Sequence, residues 1–209
     1  MNRTLVFVVI SAVLALPVRG LEREKVSGPL EEREVVEAAK RFVGAQKAET
    51  LRGIGLAGSG ELRYGKPVEL YELSMEKVQA WKKGPLTPHL AKTGSWYVPV
   101  EDANGVAVLA QVGCCSKEVE GRLVGQSVGS STLATKWLEV KGRWPDARLV
   151  SCPPGPATYY VVPSLKKANL TPMTSFEKGV DLLVPADAAK TLAPLKAGRY
   201  PGLGAAPQE

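Results

Sequence analysis

The chain has one histidine and three cysteines in 209 residues. A metal centre needs His, Cys or carboxylates clustered at ligand spacing, and no such cluster occurs along the sequence. No metal and no other cofactor is expected. Basic residues form no stripe. The formal net charge is +6, but the longest runs are the pairs Lys40-Arg41, Lys82-Lys83 and Lys166-Lys167. A nucleic-acid footprint is a stripe or patch, so no nucleic-acid partner is expected. Past the N-terminus, no apolar run approaches the roughly 20 residues that cross a bilayer. No membrane span is therefore expected in the mature chain.

What is present begins with Met1-Asn2-Arg3 and an apolar run from Leu5 to Leu16, interrupted only by Ser11 and ended by Pro17. A basic start, a short apolar stretch and a turn-prone exit are the layout of a secretory signal. Two cleavage points fit, after Ala15 and after Gly20, and the second is preferred. Residues 1–20 are expected to be removed and the protein exported, to a periplasm or the extracellular space. No cysteine lies near either point, which excludes a bacterial lipoprotein anchor. The remaining chain suffices for one good-sized domain or two small ones.

Export places Cys114, Cys115 and Cys152 in a setting that favours disulfides. Adjacent Cα atoms are about 3.8 Å apart, so a Cys114–Cys115 bridge would be strained. A bond from either one to Cys152 closes a loop of about 37 residues, worth roughly 3–4 kcal/mol of unfolded-chain entropy. One thiol is then left over. The other reading of the adjacent pair is a reactive dithiol.

Helical periodicity covers residues 29–43, where Leu30, Val35, Ala38, Ala39, Phe42 and Val43 share one face, acids fill the first turn and Gly44 can cap the end. Residues 61–73 are rich in strand formers, with a turn at Gly65-Lys66-Pro67. Ser74 can cap a short helix over 75–83. The clearest hairpin pairs Trp96–Val100 with Val106–Val112 around Asn104-Gly105, a dipeptide whose two residues tolerate positive φ. Residues 131–141 read as helix, 147–151 and 158–162 as strands, and 186–196 as a final helix. The tail, 198–209, reads as frayed. The stretch Pro67–Lys77 echoes Ala157–Lys167, each a strand, a serine and a possible helix start. The fold expected is α+β, helices packed on an antiparallel sheet, with residues 21–113 and 114–197 as two halves of the same or adjoining domains and an optional relation between them as helix–strand–strand units.

Several motifs imitate catalytic ones. Gly53-Ile54-Gly55-Leu56-Ala57-Gly58 matches a dinucleotide fingerprint, yet a helix precedes it and strand-like sequence follows, the reverse of what the chemistry needs. Gly125-Gln126-Ser127-Val128-Gly129 matches a nucleophile elbow, but that enzyme class places its histidine after the serine, and His89 comes before it. Ser74-Met75-Glu76-Lys77, Ser164-Leu165-Lys166-Lys167 and Lys92-Thr93-Gly94 imitate penicillin-binding enzymes. The spacing from Lys77 to Lys92 leaves no room for the helical domain between those motifs. His89 reads as a loop histidine, and Asn169-Leu170-Thr171 is a glycosylation sequon. No catalytic residue is assigned.

The order of Val35–Val43, Glu69–Leu73 and Trp96–Val112, a helix followed by antiparallel strands, resembles the exported PepSY and cystatin-like modules. That resemblance implies a non-enzymatic role, binding or inhibiting a peptidase or another envelope component. The cystatin loop Q-x-V-x-G is not matched, because Gln126-Ser127-Val128-Gly129 is one residue short. Two functions follow. One is a non-catalytic binder of a protein or a cell-envelope polymer, using a strand edge or an aromatic patch that includes Trp96 and Tyr97. The other is a thiol-dependent enzyme or redox protein using Cys114 or Cys115.

Overall fold

A computed structural model describes residues 32–57, 60–105, 107–114, 123–128, 131–152, 159–174 and 182–198, with the backbone alone at Cys114, Leu123 and Val124. The export signal, Cys115 and the tail from residue 199 onward lie outside the described residues. In chain order the elements are α1 (Glu32–Gly44), α2 (Ala48–Gly53), β1 (Arg63–Tyr64), β2 (Val68–Glu72), α3 (Met75–Ala80), β3 (Ala91–Glu101), β4 (Ala107–Cys114), β5 (Leu123–Val128), α4 (Ser131–Arg143), β6 (Arg148–Ser151), β7 (Tyr159–Val162), β8 (Thr171–Pro172) and α5 (Ala188–Lys196).

The strands form one eight-stranded sheet, ordered β5-β4-β3-β2-β6-β7-β8, with β1 paired to β3 alongside β2. All pairs are antiparallel except β2 with β6, which are parallel through Leu70↔Leu149, Tyr71↔Val150 and Glu72↔Ser151. This is the α+β arrangement expected, and the β2–β6 pair ties both halves of the chain into one sheet.

The period-2 alternation of the strands sends side chains to two faces, and each face is covered by helices. On one face Leu70, Tyr97, Leu109, Leu149 and Val161 meet Leu133, Ala134, Trp137 and Val140 of α4. On the other, Val98, Val100, Val108, Ala110 and Val112 meet Val35, Ala38, Ala39 and Val43 of α1. Farther along that same face, Val150, Tyr160 and Val162 lie with Val78 of α3 and Ala188, Leu192 and Leu195 of α5. Full burial of each large aliphatic side chain contributes on the order of 1.5–3 kcal/mol.

Local chemistry explains the elements. The α1 stripe is the one expected, with Glu32 and Glu34 in the first turn and Arg41 in the last. Gly125 of β5 lets α1 approach closely: a Cβ there would stand 2.0 Å from Cγ of Phe42. Ser74 caps α3 by accepting the Lys77 N–H at 3.4 Å. Asp187 caps α5 by accepting the Ala189 N–H at 2.7 Å.

The β3–β4 hairpin forms where expected, with a different turn. Positive φ is found at Gly105 (+77°) and not at Asn104. Asp102 supplies the missing constraint. Its carboxylate, 2 % exposed, accepts the Asn104 N–H at 2.9 Å, and its carbonyl accepts the Gly105 N–H at 3.0 Å. A side-chain acceptor two residues upstream holds the turn without a left-handed asparagine.

No element was expected at α2, at the 3₁₀ turn Thr87–His89 or at β8. The two echoing stretches form β2 and β7, which flank β6 on either side. Ser74 then opens a helix, whereas Ser164 leads into a turn.

Candidate binding groove

The strand-rich stretch 61–73 is broken at Gly65-Lys66-Pro67, and the broken segment lines a groove. β1 pairs with β3 through Arg63↔Glu101 and Tyr64↔Val100, and β2 resumes at Val68↔Tyr97. Four steps on one strand thus face three on the other, which is a bulge. Gly65 sits against Pro99 and donates its N–H to the Pro99 carbonyl at 2.8 Å. Pro67 has no N–H to offer a neighbouring strand.

On the far side of this segment the sheet is short. β6 begins at Arg148 and pairs with β2 only from Leu70 onward. Among the described residues, no strand lies along β1 opposite β3. The gap is a groove of about 470 Å³. Its apolar walls are Tyr64, Pro67 and Val68 on the sheet side and Trp137 and Leu138 on α4. Its charged residues are Arg63, Lys66, Lys141 and Arg148, with Glu69 and Glu101. The volume lies within the range usual for ligand sites, roughly 300–1,000 Å³.

The charges differ in how they are committed. Glu69 is satisfied twice, by Lys92 Nζ at 2.9 Å and by the Tyr71 hydroxyl donating at 2.7 Å. The Tyr71 hydroxyl is pushed up from its ordinary value by burial first and by Glu69 second. Lys92 is held up by its hydrogen bond to Glu69. Lys66 pairs with Glu32 at 3.1 Å, and Lys141 donates to the Pro145 carbonyl. Arg63 and Glu101 make no side-chain hydrogen bond or ion pair among the described residues, and Arg148 is held by stacking. Its guanidinium lies 4.7 Å from the centre of the Tyr71 ring, and it makes no hydrogen bond or ion pair among the described residues. Stacking of this kind is worth roughly 0.5–2 kcal/mol and leaves the in-plane N–H groups unused.

The residues singled out from the sequence lie elsewhere. Tyr97 is buried at 2 % exposure, so it is no part of an exposed patch. Its place on the α4 face seats it in the core, and its hydroxyl meets that of Tyr159 at 2.5 Å. Trp96, its neighbour, faces the other way and packs against the α1 cluster. Cys152 is buried, and its thiol is pushed up to about 11 by that burial and by nearby Glu72. No disulfide occurs among the described residues. Cys114 ends β4, and two strands separate β4 from β6. At about 4.8 Å per strand the two backbones are roughly 14 Å apart, beyond the span of a disulfide. A Cys115–Cys152 pairing lies outside the described residues.

The catalytic look-alikes are structural. Ser127 lies within β5, one residue before its end, and donates to Gln111 Oε1 at 3.0 Å, which is no elbow. Gly53 ends α2, and the turn after it is tied to the hairpin by the Ala57 N–H donating to Asp102 at 2.8 Å. His89 ends the 3₁₀ turn. In the sequon, Thr171 is buried and Asn169 Oδ1 accepts the Ser164 N–H at 3.4 Å. No group of three or more potential metal ligands gathers among the described residues. Among them, too, no helix is long and apolar enough to cross a membrane.

Sequence reasoning missed Arg148, Tyr71, Glu69 and Lys92. One signal was available: Arg148 is a charged residue beside the apolar run Leu149-Val150 in a strand. Compared with known proteins, the chain matches no family model, no curated protein and no solved structure.

Proposed function

We propose that this chain is an exported, non-catalytic α+β protein that binds a protein or a cell-envelope component, and that it does so in the groove between α4 and the β1–β2 segment. The observation that carries the reading is the combination, among the described residues, of an unpaired strand edge, apolar walls and an arginine with no acidic partner. An open strand edge and an exposed apolar wall invite a partner, and the arginine offers that partner a charge to meet. Export is supported by the N-terminal layout of a basic start and a short apolar run. The element order shared with cystatin-like modules favours a peptidase or another envelope protein as the partner.

The thiol-enzyme reading draws no support from Cys152, whose buried thiol stays protonated at neutral pH. That reading would rest on Cys114 or Cys115 alone.

Site-specific photocrosslinking tests the groove. Leu138 is 51 % exposed and lines it, whereas Leu165 is 36 % exposed and lies outside it, next to Thr87. A photoreactive residue at Leu138 is expected to trap a partner in envelope extract, and one at Leu165 is not. Equal yields at both positions, or none at Leu138, would contradict the assignment. N-terminal sequencing of the secreted chain, with Leu21 expected first, tests export separately.

A further inference from the structure

We propose that the groove takes an extended peptide segment, paired along β1, whose side-chain carboxylate is held by Arg148. This inference rests on the groove being the binding surface. It adds what the ligand is and which residue recognises its charge.

Backbone geometry argues for a strand. In an antiparallel pair, alternate residues point their N–H and C=O groups away from the partner. Among the described residues β1 is paired on its β3 side only, and β6 starts too late to cover it. The line of β6, extended backward past Arg148, runs into this vacancy. An extended peptide laid there would meet the outward-facing backbone groups of β1, as in strand addition to a sheet edge. Its alternate side chains would face Trp137 and Leu138 across the groove.

Side-chain chemistry argues for a carboxylate. The groove holds two glutamates: Glu101, which lies opposite Arg63 in the β1–β3 register and makes no ion pair with Arg148, and Glu69. Glu69 is already committed to Lys92 and Tyr71. Arg148 therefore shares the Tyr71 ring but not the Glu69 carboxylate. A planar guanidinium, fixed by stacking and with unused in-plane donors, matches a carboxylate in a two-point contact. The same stacking reduces the side-chain entropy lost when the contact forms. Arg63 and Lys141 add positive charge nearby and favour an acidic segment over a neutral one.

A random decapeptide library displayed without a free C-terminus, selected on the full chain, tests this. Peptides rich in Asp or Glu are expected to be enriched and to lose binding when Leu138→Glu is introduced into the groove. For a synthetic selected peptide, replacing its key Glu by Gln is expected to weaken binding about tenfold on the unaltered chain. That replacement is expected to change little on Arg148→Gln. Should Arg148→Gln lower the melting temperature, the Glu-to-Gln peptide pair on the unaltered chain still reads the contact. Peptides that bind the groove equally well with Gln would overturn the carboxylate assignment and leave the groove reading standing. Polygalacturonate binding there in place of any peptide would overturn the peptide assignment alone. Selection that returns nothing sensitive to Leu138→Glu would overturn both.

Discussion

Arg148 and Cys152 stand at the two ends of one short strand and meet opposite surroundings. Cys152, just past β6, is enclosed with Leu73, Tyr160 and Leu192 beneath α5. Arg148, at its start, looks into an open groove with the Tyr71 ring as its partner among the described residues. The strand itself does not differ much between its ends; its neighbours do. At the far end β2 runs alongside, and the Leu73 N–H still reaches the Ser151 carbonyl at 2.9 Å. At the near end β1 and β2 both stay paired with β3, and β6 pairs with β2 only from Leu149 onward, so Arg148 has no β2 partner beside it. The point at which β6 starts to pair with β2 thus separates its enclosed end from its open one.

If that contrast is right, substitutions along β6 and its partners should sort by environment. The largest loss is expected for Leu149→Ala, fully buried under α4 between β2 and β7. About 2–5 kcal/mol of unfolding free energy should disappear in a denaturant titration. Alkali should probe the Cys152 end next. Its thiol is raised from 9.0 to about 11, so between those values the unfolded chain releases a proton that the folded chain keeps. Stability should therefore fall as pH rises from about 9 to 11, by up to about 1.4 kcal/mol per pH unit from this group. Below that window the contribution is constant, and Cys152→Ala should remove the part of the slope that begins near pH 9.

Tyr159→Phe sharpens the closed side of the comparison. It strips Tyr97 of its hydroxyl partner in a buried site and should cost about 1–3 kcal/mol, read as a shift in the denaturation midpoint. The smallest effect is expected at the open end. Arg148→Gln removes a stacking contact from a half-buried side chain and should change stability by less than about 1 kcal/mol. A larger loss there would mean that Arg148 is a structural residue, and the contrast between the two ends of β6 would fail.

Much of the frame was legible from local pattern. The α1 stripe, the Ser74 cap, the β3–β4 hairpin, α4, β6, β7 and α5 all follow from periodicity and end signals carried by a dozen or so residues each. What was illegible depends on distant partners. Nothing near Val68–Glu72 or Arg148–Ser151 announces that they pair in parallel, because parallel pairing leaves no turn between its strands. Tyr97 reads as an exposed aromatic until the face it occupies is known. One residue of register decides whether it or Trp96 faces α4. The groove is illegible for the same reason: Tyr71, Arg148 and Trp137 come from three separate stretches. The Gly65-Lys66-Pro67 break was visible in the sequence, but as a turn, without the neighbour whose absence makes it a site.

Amide hydrogen exchange across Arg63–Glu69 tests the groove most directly, measured on the full chain with and without the decapeptides selected as above. The account predicts that the β1 amide directed away from β3 exchanges freely in the unliganded chain and slows at least tenfold when peptide is added, while the Gly65 amide, already bonded to the Pro99 carbonyl, and β5 are unchanged. Protection confined to β5, or no change along β1, would contradict it.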